Sequence, residues 1–437
     1  MSLALDLNDA RRAATARELA AEADAVLYDV TRIATRFFRS TPNGIDRVDL
    51  AYARHFLGRA EDSGFDRGVI WTPLGARTFS GARGARLVDD VLAHWGETRA
   101  ADGNLFDRPT GRPRPARRAG EFLRGVSAVS NSIPRAIAPS PPAAKRHGGG
   151  FYFNASQFPI WRREHRAWVA RQTGLRSVFF VHDLLPITHP EFFPAAEPAR
   201  HLTRMEAIAD SASGVVVASE HVRDDLARHF RGLGRAAPPV CVAPLPVSET
   251  FVNSPPRIGI SGGAPFFLVC GTVEPRKNHL LLLNVWRELI RREAHSAPKL
   301  IVAGRRGGGC DNTAALLDRA TELRGHVITI PDATTPEVCA LMDRAQAVLM
   351  PSFAEGFGFP VHEAVARGTP VLASDIPAFR GLSGSPLVTL IDPVDGAGWL
   401  EAVRARAGVR GRKRGAREIR TTWEGHFREV EGFLASL

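Results

Sequence analysis

Two glutamates, Glu355 and Glu363, stand with seven residues between them in "PSFAEGFGFPVHEAVARGTPVLASDIP" (351–377), the gap filled largely by glycines and a proline. A short apolar run ends near Met350, so Glu355 falls in a loop. Pro360 suits the first position of a helix, where its fixed φ fits and its missing N–H costs nothing. The spacing then predicts Glu363 in the first helical turn, with both acids turned towards one helix N-terminus. The free amides of residues 357–361 and the helix dipole favour phosphate there. Gly356 and Gly358 let the backbone come close to a ligand. Taken alone, the stretch fits an ordinary helix start better, with Glu363 complementing the dipole and Glu355 solvated.

A basic counterpart precedes it by 78 residues, counted from Lys277 to Glu355. "CGTVEPRKNH" (270–279) again follows an apolar run and opens a helix, with Arg276 and Lys277 at its start. Cations oppose the dipole at that end, so stability does not ask for them. A diphosphate does: the guanidinium binds it bidentately and the ammonium adds a point charge. "VAGRRGGGCDN" (302–312) places Arg305 and Arg306 with three glycines after another strand-like run, which fits a nucleotide border and a surface turn equally.

Together "GTVEPRKN" and "PSFAEGFGFPVHEA…G.PVLASDIP" resemble the retaining GT-B glycosyltransferases of the large family four, which transfer a sugar from a nucleotide-sugar donor. The likeness spans roughly residues 265–400 and includes "HVITIPDATTPEVCALMDRAQAVLM". It implies that Glu355 orients the donor sugar and Glu363 holds the ribose. Gly356, Phe357 and Gly358 would supply contacts to sugar and phosphate, and Arg276 and Lys277 would bind the donor phosphates. It also implies no metal and no cofactor beyond the donor. Many relatives carry an arginine where this chain has Thr272, so phosphate binding would lean on Arg276 and Lys277. Gly381 stands where relatives often carry an acid.

In the first half, "VFFVHDLLPITHPEFF" (178–193) puts His182 and Asp183 at the end of an apolar run. It resembles the family's His-Asp element, whose histidine faces the donor sugar and phosphate, with Asp183 orienting the ring. "TPNGIDRV" (41–48) resembles the family's first loop; Gly44 permits a tight turn close to phosphate or acceptor, and Arg47 opens the next helix. "SEHVRDDL" (219–226) reads as structural, with Ser219 capping a helix.

These residues need elements to hold them. Strand-like runs alternate with helical ones, as in "AVLYDV" (25–30), "SVFFV" (177–181) and "GVVVAS" (214–219), then "PFFLVCGTV" (265–273), "AVLMPS" (347–352) and "PVLAS" (370–374). Short β-branched runs separated by helices predict parallel sheets. Two series joined near 248–264 predict an α/β, GT-B architecture, two doubly wound Rossmann-like domains facing a cleft, with ligands at the strands' carboxyl ends. The boundaries read as 1–250 for an acceptor-side domain with a Pro/Arg-rich insertion at 108–146, 257–405 for a nucleotide-sugar domain, and 406–437 for a basic segment and terminal helix.

The 437 residues carry a net charge of +11, concentrated in Arg108–Arg146 and Arg404–Arg420. Such runs suit an anionic membrane surface or a solvated linker. Neither shows the aromatic interleaving of a nucleic-acid platform. No apolar run is long enough to span a membrane. The N-terminus carries no leader pattern, so the expectation is a cytoplasmic protein, peripheral on the membrane's inner face. Four cysteines, without a CxxC pair, read as reduced thiols.

The expected function is metal-independent, retaining hexosyl transfer, mannose favoured by the resemblance, to a glycan or lipid-linked hydroxyl in surface-polysaccharide synthesis. The alternative is a catalytically silent nucleotide-sugar-binding scaffold. A dinucleotide oxidoreductase is disfavoured because no G-x-G-x-x-G follows the first strand. A phosphorylase-like enzyme would need a pyridoxal-phosphate lysine in a longer chain. Donor sugar, base, acceptor, linkage and oligomeric state are open at this level.

Overall fold

The computed structural model describes residues 25–37, 42–58, 67–72, 75–96, 133, 149–172, 174–253, 265–408 and 417–437. Its strands form two sheets. The first contains β1 (Ala25–Asp29), β2 (Arg67–Thr72), β3 (Gly75–Ser80), β4 (Gly150–Asn154), β5 (Leu175–Val181), β6 (Ala212–Val217) and β7 (Val240–Val242). Their order is β3-β2-β1-β4-β5-β6-β7, parallel except for the antiparallel β2–β3 pair. The second contains β8 (Phe266–Cys270), β9 (Lys299–Ala303), β10 (Val327–Ile330), β11 (Val348–Met350), β12 (Val371–Ser374) and β13 (Val388–Ile391). Their order is β10-β9-β8-β11-β12-β13, all parallel.

The sequence explains the layering. β4 (GFYFN) and β8 (FFLVC) are buried throughout, as strands covered on both faces must be. In the first sheet, Tyr28, Tyr52, Phe56 and Phe153 pack ring against ring, with Tyr52 and Phe153 centroids 5.1 Å apart. In the second, Trp286 packs edge-on to Phe267 and donates its indole N–H to the Pro298 carbonyl at 2.8 Å, so the polar handle of this buried ring is satisfied.

Both strand orders reverse direction once: between β1 and β4 in the first sheet, between β8 and β11 in the second. Crevices at those points are where doubly wound sheets bind ligands. The segments leaving β1, β8 and β11 carry the residues singled out above, and His182 directly follows β5, next to β4.

Three details differ from the sequence reading. Phe251, in the stretch read as a connection, lies on a short helix, Glu249–Val252, and is fully buried in the second sheet's core. The terminal helix, Trp423–Ser436, returns to the first sheet, where Phe427, Val430 and Leu434 join the core that holds Tyr28 and Phe153. There His426 accepts the Tyr52 hydroxyl proton at Nε2 (2.7 Å) and donates Nδ1–H to the Pro244 carbonyl at 3.0 Å. Ser219 occupies an N-cap position, yet its hydroxyl turns to the His221 ring at 2.9 Å and caps nothing.

Candidate active site

The turn after β8 is a single 3-10 turn, Pro275–Lys277, closed by Asn278 in the left-handed region at φ 52°. That geometry turns Arg276 and Lys277 back towards the loop leaving β11. The Phe353 amide donates to the Arg276 carbonyl at 2.9 Å, and the Arg276 guanidinium donates to the Ala354 carbonyl at 2.7 Å. The two loops are thereby stitched together, and Glu355 is delivered between the cations. Its Oε2 lies 2.7 Å from Arg276 Nη1 and its Oε1 2.5 Å from Lys277 Nζ. Burial would raise the Glu355 pKa, but Arg276 and Lys277 overcome it and hold the carboxyl at about 2. Burial pulls Lys277 down, with Glu355 opposing. The Arg276 guanidinium, which burial opposes, is held firmly charged by Glu355 and by Glu274, 2.8 Å away. Sequence reasoning gave the acid to the sugar and the cations to the phosphate; the structure brings all three into contact.

Glycines allow this approach. A Cβ on Gly356 would lie 2.8 Å from the His182 carbonyl oxygen and 2.9 Å from the Asp183 Cβ, so the loop after β11 meets the loop after β5 at van der Waals distance only without a side chain. Gly358, at φ 78°, starts the helix Phe359–Ala366 with its α-carbon against Phe379. That helix begins one residue earlier than the sequence pattern predicts: Pro360 is its second residue and Glu363 lies just past the first turn.

Glu363 is 4% exposed, and its partner comes from the other sheet. Arg47, in the first turn of the helix Gly44–Gly58, places Nη1 3.0 Å from Glu363 Oε1 and Nη2 3.4 Å from the Thr335 hydroxyl. Burial raises the Glu363 pKa while Arg47 opposes the shift. Gly44 is helical, not a left-handed turn residue, and faces the Phe359 ring across the same junction.

His182 donates Nε2–H to the Ala155 carbonyl at 2.8 Å, and burial lowers its pKa to about 4. The ring is therefore neutral at physiological pH, with the lone pair on Nδ1. Asp183 does not touch that ring; its carboxylate accepts the Leu185 amide at 3.1 Å and stands beside Gly356. Burial raises its pKa, with Arg276 pulling the other way.

The remaining predicted residues sit further out. Phe357 packs on the first sheet's core and stacks on His362 with centroids 4.2 Å apart. Thr272 and Arg305 are exposed. Arg306 pairs with Asp318. The turn carrying Arg305 is not loose: the Val273 amide donates to the Arg305 carbonyl at 2.8 Å, and a Cβ on Gly304 would fall 1.8 Å from the Gly271 carbonyl oxygen. Its Gly304 therefore serves close packing against the 271–274 loop.

Other residues spanning the two sheets were not legible in advance. His221 Nε2 donates to the Glu355 carbonyl at 3.2 Å, and Phe192 stacks on Phe353 at 5.5 Å. Arg47 was visible as a helix-opening cation, but its partner lies 316 residues away and no local pattern announces it.

The first basic run, Arg108–Arg146, lies outside the described residues apart from residue 133. In the second, residues 409–416 do too, while flanking arginines, most of them exposed, bond to other residues of the chain. Arg404 pairs with Glu293, Arg406 donates to the Gln346 carbonyl, Arg417 to Val252 and Arg420 to Gly381. Of the four thiols, Cys270, Cys310 and Cys339 are buried and Cys241 half-buried, all free. No described helix is long and apolar enough to cross a membrane.

Comparison with known proteins bears on the family and the fold. The family model described as glycosyl transferases group 1 matches residues 252–385. The D-inositol 3-phosphate glycosyltransferase of Frankia alni is 32% identical over 293 residues, covering 60% of this chain and 70% of that protein. The O-antigen chain mannosyltransferase RfbU of Salmonella typhimurium is 28% identical over 227 residues, 51% of this chain and 59% of that protein. The chain spans less than two thirds of RfbU and 28% of the serotype-specific mannosyltransferase WbdA of Escherichia coli. Among solved structures, Anabaena HepE in complex with UDP and glucose superposes with a TM-score of 0.56 at 13% identity, over 95% of this chain and all of that one. That likeness gives the fold, the GT-B pairing of two Rossmann-like sheets. The family model and the Frankia relative establish that this chain belongs to the glycosyl transferases of group 1.

Proposed function

We propose that this protein is a retaining hexosyltransferase that moves a sugar, mannose favoured, from a nucleoside-diphosphate donor to a hydroxyl of a glycan or lipid-linked acceptor in surface-polysaccharide synthesis. The observation that carries the reading is Glu355 seated between Arg276 and Lys277, against the loop that bears His182. A diphosphate arriving at Arg276 and Lys277 replaces Glu355 as their counter-charge. The carboxylate is then free to accept hydrogen bonds from sugar hydroxyls, and the neutral His182 ring offers Nδ1 as a second acceptor. As the anomeric C–O bond to the diphosphate breaks, the two cations stabilise the charge on the leaving oxygen. The acceptor oxygen bonds to the same face and its proton passes to the departing phosphate. Those cations take the part a divalent ion would play, so no metal or other cofactor is invoked.

The mannosyl preference rests on RfbU and WbdA, and a uridine donor on the UDP bound to HepE. A cytoplasmic enzyme held on an anionic leaflet is part of the proposal, through Arg108–Arg146; a charge-reversed variant of that run should lose co-sedimentation with anionic vesicles, and unchanged binding overturns that part. The main test is a thermal-shift screen against GDP-, UDP-, ADP- and dTDP-sugars, followed by transfer from the best donor with and without EDTA. We expect one donor to stabilise the protein, turnover to survive EDTA, and NMR to show a product with the donor's anomeric configuration. Activity abolished by EDTA and restored by Mg²⁺, or an inverted product, contradicts the mechanism. A donor that binds tightly and is never turned over by the intact chain, whatever the acceptor offered, supports the scaffold alternative.

A further inference from the structure

We infer that Arg47 is a positioning residue for the donor site: it reaches across from the first sheet to fix the buried Glu363 carboxylate, so that donor affinity depends on the two sheets being closed on each other. This rests on the reading of Glu363 as the donor-ribose acid. The geometry is a two-pronged grip, Nη1 on Glu363 at 3.0 Å and Nη2 on the Thr335 hydroxyl at 3.4 Å, from a side chain itself one-third exposed. Arg47 is held in place from behind. Its helix is closed by a reciprocal cap, Asn43 and Asp46 each accepting the other's amide, at 2.9 and 3.0 Å, and Asp46 is tied to Arg32 at 2.9 Å. The grip therefore reports the position of the whole β1 junction and not of a loose surface side chain.

Glu363 needs such a partner. Its fellow titratable neighbours are Cys270 from β8 and Cys339 from the helix Thr335–Arg344, both uncharged thiols whose pKa is raised by burial. Among the described residues, Arg47 is the cation paired with it. A buried carboxylate whose counter-ion is removed takes up a proton instead of staying charged. A protonated Glu363 turns one of its two acceptor oxygens into a donor, so it no longer offers both to the ribose hydroxyls. Without Arg47, donor binding should fail from the acid side at a higher pH than it does in the wild type. At neutral pH the ribose contact still forms, with a less well held acid.

The test measures binding of the nucleoside diphosphate selected by the donor screen, by calorimetry from about pH 5 to pH 8, for wild type, R47M, R47K and E363Q. We expect R47M to weaken binding about tenfold at neutral pH and to shift the acidic fall-off upward by about one unit. R47K, which keeps the charge but not the fork, should restore the position of the fall-off while recovering only part of the affinity. E363Q should bind weakly with no acidic fall-off assignable to this site, and it keeps the inference testable if R47M does not fold. A pH profile of R47M that overlays the wild type, or E363Q retaining the wild-type fall-off, overturns the role of Arg47. If the wild type binds no nucleoside diphosphate at any pH, the donor-site reading itself fails, an outcome distinguishable from the first two.

Discussion

Glu355 and Glu363 belong to one loop and one helix, yet their surroundings oppose each other. Glu355 is gripped by two cations from its own half of the molecule, and its pKa sits at about 2. Glu363 is gripped by one arginine from the opposite half, and burial pushes its pKa up. The first charge is built into the second sheet's unit and persists whatever the cleft does. The second depends on closure. A site organised this way keeps its phosphate end preformed while its ribose end is completed only when the first sheet is in place.

The largest effect should come from the preformed end. Glu355→Ala should lower kcat by about a thousandfold with donor KM within a few-fold of wild type, since one aimed polar group in a dry site contributes two to three orders of magnitude. Lys277→Ala should lower kcat by about a hundredfold. The double variant should lose close to the product of the two single losses, because with donor bound Glu355 serves the sugar and Lys277 the phosphate. A double variant no worse than Glu355→Ala alone would show that the two still act as one unit. Gly356→Ala comes next. Its methyl would collide with the His182 carbonyl oxygen and the Asp183 side chain, and the displaced loop should cost about tenfold or more in turnover while far-UV circular dichroism stays unchanged. Wild-type turnover would mean that the close approach is not needed for catalysis.

The smallest effect concerns acid stability. Glu355 falls from an ordinary 4.5 to about 2 in the folded chain, so its pairs contribute stability that is fully present above pH 4.5 and lost as pH falls towards 2. Glu355→Gln should flatten the pH dependence of unfolding in that window and leave it unchanged near neutrality. An unaltered slope would place the charge compensation elsewhere.

Much of this was legible in the sequence because it is local. β-branched and aromatic runs such as "FFLVC" and "GVVV" declare buried parallel strands, and glycines beside acids and cations declare loops at strand ends. The contact of Glu355 with Arg276 and Lys277 was not read from the sequence; it follows from strands β8 and β11 lying side by side. What the sequence did not disclose depends on how the two sheets meet. Arg47 on Glu363, His221 on the Glu355 carbonyl and Asp183 under Gly356 all join residues from different sheets. The terminal helix is a further instance. The sequence showed a terminal helix, but not that Phe427, Val430 and Leu434 would return to the first sheet instead of standing apart. Ser219 failed for a different reason: a side-chain partner, His221, outcompeted the backbone amide that a cap would use.

The division between the two acids is tested most directly by steady-state kinetics of Glu355→Ala and Glu363→Ala, measured side by side with the donor varied at saturating acceptor. The account predicts that Glu355→Ala lowers kcat with little change in donor KM, and that Glu363→Ala raises donor KM about tenfold with kcat near wild type. The reverse pattern, a kcat loss at Glu363 and a KM loss at Glu355, would contradict it.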